Sequence, residues 1–216
     1  MNYINLHSHS VETEKNEIQI HQLFPSQNAP ENLFSIGIHP WSIKLEKMKD
    51  ELMVVESLML NKNCVAVGEC GLDKKCETNF ELQKLIFEKQ IEIAKKYHKP
   101  LILHCVKAFS ETLQILKKSN WNLPVLFHGF SGNQEIIKRY KNLDCYYSFG
   151  KSLFTINSKA IENLKYLKRS QIFFENDNSE IKISKVYSKA AEILQTKEED
   201  LIEQINFNFE KVFKTV

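Results

Sequence analysis

Glycine and proline are scarce in this chain of 216 residues, at six and five, and so is any excess of charge, with 29 Lys+Arg against 27 Asp+Glu. No linker, low-complexity tract or composition break divides the sequence, so one domain spanning residues 1–216 is expected. A formal net charge of +2 announces neither a nucleic-acid protein nor a membrane protein, and any polyanion site must come from local clustering. Long hydrophobic runs are missing too. None approaches the roughly 20 apolar residues that a transmembrane helix needs, and the N-terminus lacks the basic-then-apolar layout of a signal peptide. A cytoplasmic protein without a membrane partner is expected. The five cysteines include no CxxC pair, which fits free thiols in a reducing compartment rather than a disulfide framework. Cys70 follows Glu69 and Cys105 follows His104, so on strands each thiol points away from its neighbour's face and reads as packing.

What is present is apolar material, 43% of the chain, arranged in alternating strand-like and helix-like stretches. Tyr3-Ile4-Asn5-Leu6 runs into His7-Ser8-His9. After a polar stretch from Val11 to Glu17, Ile18 to Leu23 roughly alternates like a short strand. Leu33 to Ile38 ends in His39-Pro40-Trp41, a helix is expected around Lys47 to Leu60, and Val65-Ala66-Val67-Gly68 ends in Glu69. Asn79 can cap a long amphipathic helix running to Tyr97, closed off by Pro100. Then come Leu101-Ile102-Leu103 ending in His104, a helix around Ser110 to Lys118, Val125-Leu126-Phe127 ending in His128, and a helix around Gln134 to Lys141. Cys145 to Phe149, a helix near Asn157 to Leu167, Ile172 to Phe174 ending in Glu175-Asn176-Asp177, and helices near Ile183 to Leu194 and Glu198 to Phe213 complete the chain.

Strands alternating with helices of ten or more residues indicate a parallel sheet covered by helices. Eight strands closing on themselves make an α/β fold, a short TIM-type (β/α)8 barrel. The segment from 10 to 32 is too short for full crossover helices, so the outer helical ring should be incomplete near the N-terminus.

His7, His9, His39, Glu69, His104, His128 and Asp177 all stand at the C-terminal ends of strands, the barrel face where active sites lie. His7 and His9, two apart on a strand, face one side. A core role could explain one or two of these histidines. Several imidazoles and carboxylates gathered in one apolar setting must find partners or carry a large desolvation cost, and divalent cations satisfy them best.

These residues resemble the TatD-like metal-dependent hydrolases of the amidohydrolase superfamily. The resemblance rests on His7-Ser8-His9, Gly37-Ile38-His39-Pro40, Val67-Gly68-Glu69-Cys70-Gly71-Leu72-Asp73, Pro100 to His104, His128-Gly129-Phe130-Ser131-Gly132, Glu175-Asn176-Asp177 and Asn208 to Phe213, and it covers nearly the whole chain. It implies two divalent metal ions, one held by His7, His9 and Asp177 and the other by His104 and His128, with Glu69 bridging them. It also implies Asp177 and Glu69 as the catalytic groups, Asp177 accepting a proton from the attacking water, and a deoxyribonuclease with DNA as substrate, working from the 3′ end. The metal can be Mg²⁺, Mn²⁺ or Zn²⁺, since imidazoles suit zinc and manganese whereas the family's nuclease activity is associated with magnesium.

The chain departs from the family in two loops. Asn176 stands between the acidic residues where the family usually has threonine, and Asn178-Ser179 where a proline lies close behind. Cys105-Val106-Lys107 stands where Ser-Arg is common, and a lysine replaces charge but not bidentate geometry. His39, Trp41, Lys107 and Phe130 are candidates for substrate binding; for His39 the alternative is packing on Trp41. Trp41, Phe109, Phe130 and Phe154 could stack on bases or pack. Lys74, Lys75 and Lys151 could attract a polyanion or be solvated surface, and His21 and His98 have no motif context. An ester or amide hydrolase acting on a small molecule is the alternative enzyme, and a metal-binding scaffold the alternative of another class. The sequence leaves the oligomeric state open, a monomer being plausible.

Overall fold

The computed structural model describes residues 1–10 and 12–213. Val11 in the polar stretch after His9, and residues 214–216, lie outside the described residues. Eight strands, β1 (Tyr3–Ser8), β2 (Glu17–Leu23), β3 (Phe34–Ile36), β4 (Cys64–Asp73), β5 (Leu101–Val106), β6 (Val125–Phe127), β7 (Cys145–Phe149) and β8 (Ile172–Phe174), pair in chain order. Every pairing is parallel. Around them lie α1 (Met48–Ser57), α2 (Phe80–Lys96), α3 (Phe109–Lys118), α4 (Gln134–Arg139), α5 (Lys159–Tyr166), α6 (Ile183–Leu194) and α7 (Glu198–Phe213). The strands are buried along nearly their whole length, as expected where parallel strands are covered on both faces. This is the TIM-type barrel that the alternation of patterns implies.

The helical ring is incomplete where the sequence indicates. Among the described residues no helix stands between β1 and β2 or between β2 and β3. Eight residues separate β1 from β2, and such a segment reaches about 26–29 Å when extended, enough to run back along a six-residue strand of about 20 Å. With no apolar helix to cover it, β2 carries polar side chains that bond locally. Glu17 and Gln19 accept from Asn5 Nδ2 at 2.7 and 3.2 Å, and Gln19 Nε2 donates to the Ser10 carbonyl at 2.6 Å. His21, the histidine without a motif, is buried with Nδ1 3.1 Å from the same carbonyl, and His98 is exposed.

Capping sets several helix starts. Asn79 Oδ1 accepts the Leu82 amide at 3.1 Å to begin α2, and Asn133 does the same for α4 through Ile136. The fifth helix begins two residues later than its expected start at Asn157, because Ser158 is the cap and Asn157 sits at φ 56°, outside helical geometry. At the other end of α1, Leu58–Leu60 tightens into a 3-10 turn rather than continuing the helix. β4 is longer than its apolar core, passing through Glu69 to Asp73.

β4 and β5 approach closely at Gly71, whose φ is 134°. A Cβ there would collide with the His104 carbonyl. Gly71→Ala is therefore expected to destabilise the fold by about 3 kcal/mol, measured by denaturant unfolding; an unchanged midpoint would show that the strands can part without cost.

The seam between β8 and β1 closes at the C-terminal end. The Asp177 amide donates to the His7 carbonyl at 3.0 Å, and the His9 amide donates to the Asp177 carbonyl at 3.1 Å. Behind the seam, the Tyr187 hydroxyl of α6 accepts the Ile4 amide at 3.1 Å and donates to the Ile4 carbonyl at 3.0 Å.

Candidate metal centre

The seam itself places three side chains. His7 and His9 end β1, and Asp177, with φ 53° in the left-handed region that Asp tolerates better than most residues, is threaded between their backbones. His7 Nε2 lies 3.8 Å and His9 Nε2 3.4 Å from Asp177 Oδ1. Closing the barrel and assembling this half of the site are the same event.

Glu69, on β4, occupies the centre and is 3% exposed. Its two oxygens address different sets of imidazoles. Oε2 faces His7 Nε2 at 3.3 Å and His9 Nε2 at 3.7 Å. Oε1 faces His128 Nε2 at 2.6 Å, His104 Nδ1 at 2.9 Å and His39 Nε2 at 3.1 Å. Burial by itself would raise the Glu69 carboxyl, but the His128 and His7 imidazoles and the close approach of His104 and His128 to its oxygens hold it well below the usual carboxylate range. His128 shows the converse, with burial opposing its charge while Glu69 and Glu175 hold its ring well above the ordinary histidine value. His9 and His39 are pushed down, chiefly by burial.

Three sets of donor atoms, each mutually within 4.8 Å, could hold a cation: His7–His9–Glu69, His7–His128–Asp177 and His39–Glu69–His104. The fit of a metal to this chain is seen at His7. Both its ring nitrogens are fully buried and have no hydrogen-bond partner, a condition costing about 1–3 kcal/mol for a polar group left unpaired, and a cation would relieve it at Nε2. His39 differs. The Trp41 amide donates to its Nδ1 at 3.1 Å, so a neutral ring carries its proton on Nε2, aimed at Glu69. That ring is a donor to Glu69 and not a free lone pair.

Two further carboxylates, Asp73 and Glu175, stand beside this centre without having been expected there from the sequence. Asp73 Oδ2 is 3.1 Å from His104 Nε2 and accepts the Trp41 indole N–H at 2.7 Å. Glu175 Oε1 is 3.4 Å from His128 Nδ1 and accepts the Gly129 amide at 2.8 Å. A carboxylate four residues after Glu69 on one strand was the available signal for Asp73.

Of the expected substrate contacts, Trp41 is 65% exposed and lines a cavity of about 530 Å³ together with His9, Phe24, His39, Glu69 and Asn178. Phe130 is a correction. It is 3% exposed and packed against Phe109, Phe127, Tyr147 and Phe149, so it is core and cannot stack on a substrate. Lys107 is exposed at the end of β5 but lines neither the cavity nor the adjoining recess; Lys151 lines that recess, beside Ser131 and Ser152. Lys74 is paired with Glu111. Cys70 and Cys105 are buried, their thiols pushed up by burial, to about 12 for Cys105, in keeping with packing. Asn176, at the departure from the family pattern, accepts Asn5 Nδ2–H on its Oδ1 at 2.9 Å and donates its backbone amide to Asn5 Oδ1 at 3.1 Å, so the asparagine side chain adds a bond to the seam. No helix among the described residues is long and apolar enough to cross a membrane.

A family model described as TatD related DNase matches residues 4–214. An uncharacterized metal-dependent hydrolase of Buchnera aphidicola is 30% identical over 149 residues, 68% of this chain and 56% of that protein. The putative deoxyribonuclease TATDN1 homolog of Vairimorpha ceranae is 32% identical over 162 residues, 73% of this chain and 56% of that protein. The human 3'-5' RNA nuclease TATDN2 is 30% identical over 152 residues, 66% of this chain and 19% of that protein. The chain thus spans about half the length of the first two of these relatives. Among solved structures, the TatD homologue YjjV of Escherichia coli superposes with a TM-score of 0.77 at 19% identity, over 91% of this chain and 86% of that one, and so shares the fold. A match that runs from the first strand of the barrel to residue 214 places the chain in the family of TatD-related DNases.

Proposed function

We propose that the chain hydrolyses phosphodiester bonds at the 3′ end of DNA, using two divalent ions. The observation that carries the metal part is the division of Glu69, with Oε2 turned to His7 and His9 and Oε1 to His104 and His128. One carboxylate serving two imidazole sets suits a bridging ligand, with Asp177 completing the first set. The ions, when bound, supply Lewis acidity that activates water near neutral pH and offsets charge on the reacting phosphoryl group. Asp177, its side chain 25% exposed at the cavity, receives the proton that the attacking water gives up. His39 donates from Nε2 to Glu69 and faces the cavity beside Trp41, whose open ring offers a stacking platform for a base. Lys151, in the recess that His104, His128 and Asp177 also line, adds positive charge for a phosphoryl group. The imidazoles favour Zn²⁺, and the carboxylates suit Mn²⁺ or Mg²⁺.

The nuclease part is supported by the names of the TATDN1 and TATDN2 relatives and by a cavity within the size range of small-ligand sites. Metal-reconstituted protein is tested on 3′-labelled single-stranded DNA, the matching RNA, and a panel of esters and amides. Release of label from DNA is the expected result. Turnover confined to esters or amides would reject the nuclease reading, and cleavage of RNA alone would replace its substrate.

A further inference from the structure

The imidazole of His104 lies between two carboxylates. Nδ1 is 2.9 Å from Glu69 Oε1 and Nε2 is 3.1 Å from Asp73 Oδ2. A neutral ring has one N–H, so only one carboxylate can receive it. The surroundings of the two acids decide which. Glu69 Oε1 already has His39 and His128 directed at it. Asp73 is fixed from every side and 2% exposed. Its Oδ1 accepts the Lys75 amide at 2.7 Å, its amide donates to Gln83 Oε1 at 2.8 Å, and Gln83 Nε2 donates back to its carbonyl at 3.0 Å. Oδ2 accepts the Trp41 indole at 2.7 Å, which uses one lone pair and leaves one directed at His104. With the proton on Nδ1, an unshared pair on Nε2 would face the Asp73 oxygen, a repulsive contact in a buried place.

We propose that Asp73 is a positioning residue that keeps the His104 proton on Nε2, freeing Nδ1 to act with Glu69, and that the same oxygen pins the Trp41 ring at the cavity rim. The role rests on the two-ion reading above, because Nδ1 is useful as a donor only if a cation is there to take it. One carboxylate oxygen thus ties a metal ligand to the aromatic platform that meets the substrate. Partners of this kind behind metal-ligating histidines change metal affinity about 10- to 100-fold when removed.

The test uses the full chain loaded with zinc. Calorimetry counts and ranks the zinc sites in wild type and Asp73→Asn, and long-range ¹H–¹⁵N spectra report which His104 nitrogen carries the proton. The expected results are two zinc ions in wild type, with His104 protonated on Nε2. In the variant the second ion should bind about 10- to 100-fold more weakly while the first is changed less than about threefold. The Trp41 indole proton, slow to exchange in wild type despite its exposed ring, should exchange quickly in the variant. Two ions bound by wild type with His104 unprotonated on Nε2 would overturn the proposal and leave the metal reading standing, and so would a variant that binds both ions as wild type does. Wild type that binds no second ion would overturn the metal reading itself, and the proposal with it. The wild-type spectra decide the matter even if the variant does not fold.

Discussion

Glu69→Ala is expected to lower hydrolysis on the order of 10³-fold while circular dichroism shows the barrel intact. Glu69, proposed as the bridging carboxylate, turns one oxygen to each imidazole set. Its loss is expected to remove several kcal/mol of charge stabilisation, and each 1.36 kcal/mol is a factor of ten in rate. Folding should survive because the substitution removes a carboxylate surrounded by imidazoles and no side chain of the apolar core. In the protein without metal, the depressed Glu69 carboxyl contributes stability that is present above its unfolded value of about 4.3 and is lost as pH falls through the lower folded value. The alanine variant should therefore lose this acid-side dependence as well. Turnover retained near wild-type level would exclude a bridging role.

The second large effect is a proton released when metal binds. His128 is held well above the ordinary histidine value, burial being outweighed by Glu69 and Glu175, so without metal its ring is protonated at neutral pH. A cation needs that ring deprotonated. Uptake at pH 7 should release about one proton, and apparent affinity should fall about tenfold for each pH unit below the raised value, about 100-fold over two units. His9 is lowered by burial and adds no proton at this pH. The stability of the metal-free protein has the corresponding sign. A raised folded value contributes stability that is complete below the unfolded value of about 6.5 and lost as pH rises through the folded one. Melting of chelator-treated protein should therefore decline on the alkaline side of about pH 6.5 and recover on adding metal. Calorimetry in two buffers of different ionisation enthalpy counts the proton; no release, together with a flat metal-free melting profile, would show His128 to be neutral throughout.

Much of this site is legible in the chain because a parallel barrel converts order along the sequence into position. Strand ends gather at one face, so His7, His9, His39, Glu69, His104, His128 and Asp177 can be grouped before any distance is known. Side chains whose roles depend on what lies beside them are not legible in that way. Asp73 stands in the same motif as Glu69, yet only the approach of β4 to β5 shows that it meets His104 and Trp41. Glu175 stands two residues before Asp177 and turns to His128 instead. Phe130 and Trp41 are both loop aromatics in quoted motifs, one sealed among four rings and the other open at the rim, because burial is a property of neighbouring loops. For the same reason Lys107 lies outside the recess that Lys151 lines. Helix ends shift by two residues or a turn, as at Ser158 and Leu58, where local capping overrides the hydrophobic period.

The most direct measurement is the number of divalent ions held by each chain after reconstitution near pH 8, by elemental analysis of wild type beside Glu69→Ala. Two ions per wild-type chain, and at most one in the variant, is the expected result. An unchanged count in the variant, or a wild-type chain that retains none, would contradict a bridged two-ion centre.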